Sequence, residues 1–253
     1  MPLVSTPAIV LSAIRYSETS KIVRLATRDH GVQSVIAKGA LRPKSRFGAA
    51  LQLLSEGVAH FILSERKDLH TLTAFDLVHL RVGLASDLER YSAAMVLSEV
   101  MIRFASTEAH PASYDLLREA LALLEAAPAD MIGTVALGTI WRLVGELGFT
   151  PALDQCVRDG APVSSEGALP FSPDEGGALC ERCAVGREGT RLPAESRADL
   201  LALIENERDL PLLDERHIAA HRRLLTRYIR FHLAEGAELP ALEFWNSRPW
   251  IAA

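Results

Sequence analysis

The spacing of hydrophobic residues changes near residue 84, and this change divides the chain into two kinds of secondary structure. Before it, short apolar runs separated by turn residues favour β-strands. After it, apolar side chains recur at helical spacing from Leu84 to Phe104, with Ser86-Asp87 as the predicted N-cap. The sequence therefore predicts an α+β multidomain protein whose β part comes first and whose helical part follows.

The β part contains five predicted strands within about seventy residues, joined mostly by tight turns. The strands are predicted at residues 8–14, 21–27, 32–37, 58–63 and 69–74, with Arg66-Lys67-Asp68 in the last turn. Five short strands of this kind suggest a small barrel, and the OB-fold is the obvious barrel of this size that binds nucleic acid. We therefore predict an N-terminal OB-fold β-barrel.

The rest of the chain is predicted to be mainly helical, with a zinc-ribbon-like segment embedded in it. Further helices are predicted at residues 112–126, 130–147, 195–207 and 215–235. The predicted domains are an OB-fold DNA-binding domain at 1–80, a first helical part at 81–150, the ribbon at 151–192 and a second helical part at 193–253. No uninterrupted apolar run is long enough for a membrane span, and the N-terminus lacks the basic start of a signal peptide. We expect a cytoplasmic protein without a membrane partner.

One segment between the third and fourth predicted strands is strongly basic. Ala37 to Arg46 carries four cations and no acid. Its glycine and proline disfavour a helix, so the charges are predicted to lie on a shaped loop held by the sheet. A partner rich in phosphate is the natural counterpart of such a loop, and a solvated surface loop is the alternative.

The net charge of −5 conceals an uneven distribution. Residues 1–81 hold 11 Lys+Arg against 6 Asp+Glu, whereas residues 82–253 hold 16 against 26. The local field decides where a polyanion binds, so nucleic-acid contact is predicted for the N-terminal part. The candidate phosphate contacts are Lys21, Arg24, Lys38, Arg42, Lys44 and Arg46, and the candidates for stacking on bases are Tyr16 and Phe47. For Phe47 the competing interpretation is a place in the barrel core.

Three cysteines lie in a pattern close to that of a zinc ribbon. Cys156 and Asp159 have the spacing of one CxxC knuckle with its second ligand exchanged, and Cys180 and Cys183 form the other. Three interpretations stay open: a structural zinc held by all four residues, a metal-free hairpin in which Asp159 accepts backbone N–H bonds, and a redox pair formed by the last two cysteines.

The last predicted helix carries a second basic cluster. Arg223, Arg227 and Arg230 fall on one face of it, with apolar residues interleaved. This stripe suits a short acidic peptide with a hydrophobic end, and an exposed face paired with Asp214, Glu215 and Glu235 is the alternative.

Motifs for catalysis are missing from the sequence. His217 and His221 have the spacing of a zinc-binding helix but lack the glutamate of HExxH, and phosphate-binding glycine loops and a GxSxG elbow are absent. Residues 31–55 contain no acid that would hold the metal of a nuclease. We therefore predict a protein without enzymatic activity.

Several segments in a characteristic order resemble the RecO family of bacterial recombination mediators and DNA repair proteins. They are residues 13–21, the Ala37–Ala40 segment with the Arg-Pro-Lys-Ser-Arg sequence behind it, residues 147–154 before the first cysteine, and Phe171-Ser172-Pro173 with Gly176-Gly177 before the second knuckle. The exchange at Asp159 departs from the family's four-cysteine pattern and puts the metal in doubt more than the fold.

The resemblance implies an OB-fold, a helical domain and an embedded zinc-ribbon-like segment. It also implies binding of single- and double-stranded DNA, annealing of complementary strands, and, together with RecR, loading of RecA onto DNA coated by single-strand-binding protein. The acidic C-terminal tail of single-strand-binding protein is then the candidate peptide for the arginine stripe, and the bacterial nucleoid is the expected location. An RNA-binding protein and a protein-docking adaptor without direct DNA binding are the competing functions.

Overall fold

The computed structural model describes residues 2–64, 68–164, 166–186, 190–206, 209–234 and 236–250. The predicted positions Arg66, Lys67, Glu207 and Glu235 lie outside these ranges. The chain forms two compact units, residues 1–126 and 127–253, and each is described by itself below.

The first unit begins with a closed five-stranded barrel, which confirms the predicted OB-fold. Its strands are β1 (Leu3–Arg15), β2 (Lys21–Thr27), β3 (Gly31–Ala37), β4 (Glu56–Ile62) and β5 (Leu69–His79). They follow the order β1-β2-β3-β5-β4, and β1 also pairs with β4. Among the described strands of the barrel, β3 and β5 pair in parallel and the other neighbours pair antiparallel. This order leaves no exposed edge strand, because every strand has two neighbours.

The connection between β3 and β4 fills one part of the barrel interior. It consists of consecutive turns instead of a regular element. Phe47 (2% exposed), Ala50 and Leu51 from this connection belong to the same buried cluster as Val10, Leu25 and other strand residues. The burial of these three side chains fixes the path of the connection, so the basic segment is a packed part of the barrel.

Two helices complete the first unit, α1 (Leu88–Phe104) and α2 (Pro111–Ala126), preceded by a 3-10 turn at Val82–Ser86. The predicted N-cap is confirmed, since the Asp87 side chain accepts a hydrogen bond from the Arg90 backbone amide. The Arg81 side chain is 3% exposed and pairs with Glu56 of β4 and with Glu125 of α2. This buried ion cluster ties the barrel to α2.

The second unit is built on α3 (Ile132–Glu146), α5 (Ala194–Glu205), α6 (Glu215–His232) and α7 (Pro240–Ser247). Trp141 of α3 is fully buried and meets the Tyr228 ring edge to face, with ring centroids 5.1 Å apart. The Arg222 side chain is buried between α6 and α7, where it donates to the Trp245 carbonyl at 2.7 Å and lies 4.3 Å above the Trp245 ring. These contacts form the helical core of the unit.

A small sheet lies between α3 and α5 in sequence. Its strands are β6 (Leu169–Ser172), β7 (Gly177–Ala178) and β8 (Thr190–Leu192), in the order β7-β6-β8, with the short helix α4 (Glu181–Ala184) between β7 and β8. Gly177 approaches the Ala152 backbone so closely that a Cβ would lie 2.3 Å from the Ala152 carbonyl oxygen. A side chain at this position is therefore incompatible with the segment that leads to the first cysteine.

The observed helices agree with the predicted ones to within a few residues at each described end. The helices α4 and α7 were not predicted, because four and eight residues give too short a periodic signal. Among the described residues, no helix is both long and apolar enough to cross a bilayer.

Candidate nucleic-acid interface and metal site

The basic segment displays its charges to solvent. Lys38, Arg42, Lys44 and Arg46 are all exposed, and within the described part of the chain none of them forms an ion pair. The segment turns at Gly39, whose φ of 76° suits glycine, and the Arg42 amide donates to the Gly39 carbonyl at 3.1 Å. The backbone is thus folded locally while the four side chains remain available to a ligand.

Strand pairing brings further cations to the same end of the barrel. Arg15 pairs with Lys21, and Lys21 pairs with Ala37, the residue before Lys38. The Leu41 amide also donates to the Thr19 carbonyl at 2.9 Å, which joins the basic segment to the β1–β2 turn. Arg15 was not among the predicted contacts, and only the strand register could have identified it.

Tyr16 lies in this β1–β2 turn and is 60% exposed. Its amide donates to the Ser20 carbonyl at 3.0 Å, so the turn that carries it is ordered by its own backbone. An exposed aromatic ring beside several cations has the composition of a stacking platform for single-stranded nucleic acid.

Two predicted contacts are placed elsewhere by the structure. Phe47 is in the barrel core, so its ring is not available to stack on a base, and Arg46 covers it at 5.1 Å from the ring centroid. Arg24 is half-buried and donates to the Ile102 carbonyl of α1 at 3.3 Å. Both residues stabilise the first unit, because an aromatic ring and a guanidinium next to a small barrel gain more from packing and hydrogen bonding inside it.

The four residues of the cysteine segment converge on one point. Within the described part of the chain, one ligand atom from each of Cys156, Asp159, Cys180 and Cys183 lies within 4.8 Å of all the others. Backbone bonds shape the first knuckle, where the Gly160 amide donates to the Cys156 carbonyl at 2.9 Å. Gly160 has a φ of 71°, which lets the chain turn back there. These four residues could hold a metal ion.

Hydrogen bonds shift the pKa values of Asp159, Cys156 and Cys183 in different directions. The Asp159 carboxylate accepts from the Arg182 guanidinium at 2.7 Å and from the Ala161 amide at 3.1 Å, and these bonds hold the pKa of Asp159 well below its usual range. Burial opposes ionisation of Cys156, but backbone amides directed at its sulfur lower its pKa overall. Without a metal, a hydrogen bond with Cys180 raises the pKa of Cys183 to about 12. A cation at this point would reverse that shift.

The arginines predicted for partner binding differ in their surroundings. Arg227 donates to both carboxylate oxygens of Asp174, at 2.8 and 2.5 Å, and Arg230 pairs with Glu243 of α7. Arg223 has no partner among the described residues. All three line a surface groove of about 460 Å³ whose apolar side includes Phe231, which is 56% exposed. The structure therefore brings the three arginines together around one groove.

Comparisons with known proteins agree with these features. The model of the family described as "Recombination protein O N terminal" matches residues 1–81, and that of "Recombination protein O C terminal" matches residues 85–239. Three similar proteins are each called DNA repair protein RecO. The one from Anaeromyxobacter dehalogenans is 34% identical over 96% of both chains. The protein from Nocardioides sp. is 32% identical over 90% of this chain and 94% of its own length. The protein from Rubrobacter xylanophilus is 30% identical over 92% of both chains.

The two family matches cover the barrel, the helices α1 to α6 and the cysteine segment between α3 and α5. The names of these relatives assign no catalytic activity. The exposed basic segment and the metal-ligand cluster thus occur within the matched regions. The chain belongs to the RecO family of DNA repair proteins.

Proposed function

We propose that this protein is a non-enzymatic recombination mediator that binds single- and double-stranded DNA through the barrel and anneals complementary strands. The observation that carries this proposal is the set of four exposed cations, Lys38, Arg42, Lys44 and Arg46, which form no ion pair among the described residues. Each can neutralise one phosphate without reading a base edge, which suits a protein that must accept any sequence. Lys21, Arg15 and Tyr16 extend the same surface.

Annealing requires no bond to be made or broken. Cations on the barrel reduce the repulsion between two phosphate backbones, and a ring such as Tyr16 holds unpaired bases in a stacked arrangement. As a member of the RecO family, the protein would act at the nucleoid with RecR to load RecA onto strands coated by single-strand-binding protein.

DNA affinity as a function of salt concentration tests the barrel assignment. Fluorescence anisotropy with one labelled single strand gives a log-log slope of about −0.7 per neutralised phosphate. We expect replacement of Lys38, Arg42, Lys44 and Arg46 by glutamine to reduce the magnitude of this slope by roughly two to three units. An unchanged slope would overturn the assignment.

The same experiment separates the two competing functions. An RNA-binding protein would require the 2′-hydroxyl, so a matched RNA strand would bind more tightly than the DNA strand. For an adaptor without direct DNA binding, the native protein would show only weak binding with little dependence on the four cations. Annealing of complementary strands, followed by a dye that reports duplex, should be lost in the four-site variant.

We further propose that the cysteine segment holds one structural zinc ion. Three thiolates and a carboxylate suit Zn²⁺, which would crosslink the two knuckles and leave no open position for catalysis. The amides directed at Cys156 and the bonds to Asp159 from Arg182 and Ala161 fit ligands that must be deprotonated and oriented.

Metal analysis of the purified protein tests this assignment. We expect about one zinc per chain, with retention that falls at low pH because protons compete for the thiolates. Cys183→Ser should lose the metal and lower the melting temperature of the protein. Cys183→Ser with unchanged metal content would contradict the proposed ligand set.

The groove at Arg223, Arg227 and Arg230 supports a second binding function. We propose that it takes the acidic, hydrophobic-ended tail of single-strand-binding protein. Arg223→Glu should abolish binding of a labelled tail peptide while the barrel's DNA slope stays unchanged, and retained peptide binding would exclude this groove.

A further inference from the structure

A cavity in the first unit lies beside the basic segment of the barrel and has no role in the functions proposed above. Its volume is about 420 Å³, within the range of small-molecule sites. Its walls come from the end of β1, the start of β2, residues 51–54 before β4, residues within 80–85 after β5, and Tyr91 of α1. All of these belong to residues 1–126, so the cavity is a feature of one unit.

The backbone fixes the walls of this cavity. Leu54 and Arg81 both line it with φ values of 66° and 50°, in the left-handed region that residues with a side chain rarely adopt. The Leu54 amide donates to the Val10 carbonyl at 2.8 Å. The Arg81 guanidinium is paired with Glu56 and Glu125, so it is part of the wall and is not available to a ligand. Such conformations persist only where surrounding contacts enforce them, and they are common at ligand sites, so the cavity is preformed.

Most of the lining is apolar, but a ligand can reach two of its polar side chains. Leu53, Leu80 and Val82 contribute apolar surface, and Val82 is 71% exposed. Tyr91 is half-buried and Gln52 is exposed, so both present surface to the cavity. Neither the Tyr91 hydroxyl nor the Gln52 amide group makes a hydrogen bond within the described residues. An aromatic ring near an amide group suits a flat ligand with hydrogen-bonding groups on its edge.

The charge of the lining favours a ligand that carries an anion. Lys21 is half-buried in the wall and forms no ion pair within the described part of the chain, and none of the described lining residues is acidic. In the sheet, Lys21 is paired with Ala37, which directly precedes Lys38 of the basic segment. Residues 51–54 belong to the same β3–β4 connection as that segment. The cavity is thus continuous with the surface proposed to bind DNA.

We propose that this cavity holds one unstacked base of a single DNA strand that the basic segment binds. The base lies against the Tyr91 ring, its edge meets the Gln52 amide group, and its phosphate meets the Lys21 ammonium group. Stacking on the ring accepts every base, and the amide group offers both donors and an acceptor to different base edges. An apolar side chain of a partner protein would use neither the amide nor the ammonium group, so a nucleotide is favoured. This inference rests on the proposed DNA binding by the barrel.

Strands with and without bases test the inference. Anisotropy would compare a labelled thymidylate strand with an abasic strand of the same length, which carries the same number of phosphates. We expect Tyr91→Leu to weaken binding of the thymidylate strand about tenfold and to leave binding of the abasic strand unchanged. Tyr91→Phe keeps the ring and should retain native affinity for both strands. Because binding of the abasic strand reports an intact barrel, a loss confined to the thymidylate strand is not caused by misfolding.

Two further measurements separate the base contact from the phosphate contact. Lys21→Gln should reduce the magnitude of the salt slope by about 0.7 for both strands, whereas Tyr91→Leu should leave the slope unchanged. In a strand with 5-iodouracil in place of thymine, irradiation joins the base to an aromatic ring stacked on it. Mass spectrometry should then find a crosslink at Tyr91.

Three results would overturn the inference. They are an equal loss of both strands in Tyr91→Leu, native affinity of this variant for both strands, and crosslinks at Tyr16 with none at Tyr91. Native affinity for both strands is the result expected if the cavity takes a side chain of a partner protein. If the four-site variant loses its salt slope as expected while Tyr91→Leu has no effect, only the cavity is excluded. Absence of DNA binding by the native protein would exclude the barrel function as well.

Discussion

The basic segment of the barrel and helix α6 carry similar numbers of cations but differ in how many are available to a ligand. In the basic segment, Lys38, Arg42, Lys44 and Arg46 are all exposed and unpaired within the described residues. In α6, Arg222 is buried, Arg227 and Arg230 are paired with acids, and only Arg216 and Arg223 are unpaired among the described residues. The number of cations in a segment therefore does not measure the charge that a ligand meets.

The difference has a simple physical origin. No acid occurs in residues 31–55, and the turns of the basic segment direct its cations into water. By contrast, the part of the chain that contains α6 has an excess of acids, and Asp174 and Glu243 come from elements packed against this helix. Paired arginines must break an existing bond before they can bind phosphate.

The largest predicted effect concerns Phe47, the aromatic residue next to the basic segment. Phe47→Ala should lower the free energy of unfolding by about 3–5 kcal/mol, because it leaves a cavity in the barrel core. Urea unfolding would measure this loss, and Arg46→Ala, at the exposed neighbouring position, should change it by less than about 0.5 kcal/mol. Unchanged stability with weakened DNA binding would show that the ring stacks on bases after all.

A somewhat smaller loss of stability is expected for the buried arginine of α6. Arg222→Met should lower the free energy of unfolding by about 2–4 kcal/mol, since the Trp245 carbonyl loses its donor and the indole ring loses its cation. Arg223→Met on the exposed side of the helix is the matched control. Equal melting temperatures for the two variants would contradict the structural role of Arg222.

Matched triple variants compare the two clusters directly in DNA binding. Replacing Lys38, Arg42 and Lys44 by glutamine should reduce the salt slope by about two units, equivalent to about a 100-fold loss of affinity near 0.1 M salt. Replacing Arg223, Arg227 and Arg230 by glutamine removes the same charge but should change the slope by less than about one unit. Anisotropy titrations on one labelled strand would measure both, and equal slopes would invalidate the comparison.

The smallest effect is expected from releasing the paired arginines. Asp174→Asn with Glu243→Gln should raise the affinity of α6 for an acidic peptide by about two- to fivefold, measured by anisotropy. Glu238→Gln is the control, because Glu238 is exposed and forms no ion pair among the described residues. The Arg227 guanidinium lowers the pKa of Asp174. The stability from this pair is therefore present above the ordinary carboxyl pKa and is lost only as the pH falls through the lower folded value, so mild acidification should not reproduce the double variant.

Much of the fold could be predicted because it depends on local patterns. The period-two runs, the helical spacing after residue 84 and the Asp87 cap are properties of short segments, and the structure contains the corresponding elements. The grouping of Cys156, Asp159, Cys180 and Cys183 was also predictable, because knuckle spacing fixes which ligands can meet.

Individual side-chain roles were less predictable. Phe47 and Arg24 lie in a basic, strand-rich region whose composition suits an interface, yet their burial depends on contacts with distant residues. Arg15 carries no such signal in the sequence, since the strand register alone creates its surroundings.

The sequence by itself determined the OB-fold, the helical part, the metal-ligand cluster and the family, because hydrophobic period and motif spacing act over short stretches of chain. Only the tertiary structure decided which cations are free to bind a ligand and which aromatic side chains are buried. The physical reason is that pairing and burial depend on neighbours brought together from distant parts of the chain, and the order of residues alone does not specify which neighbours those are.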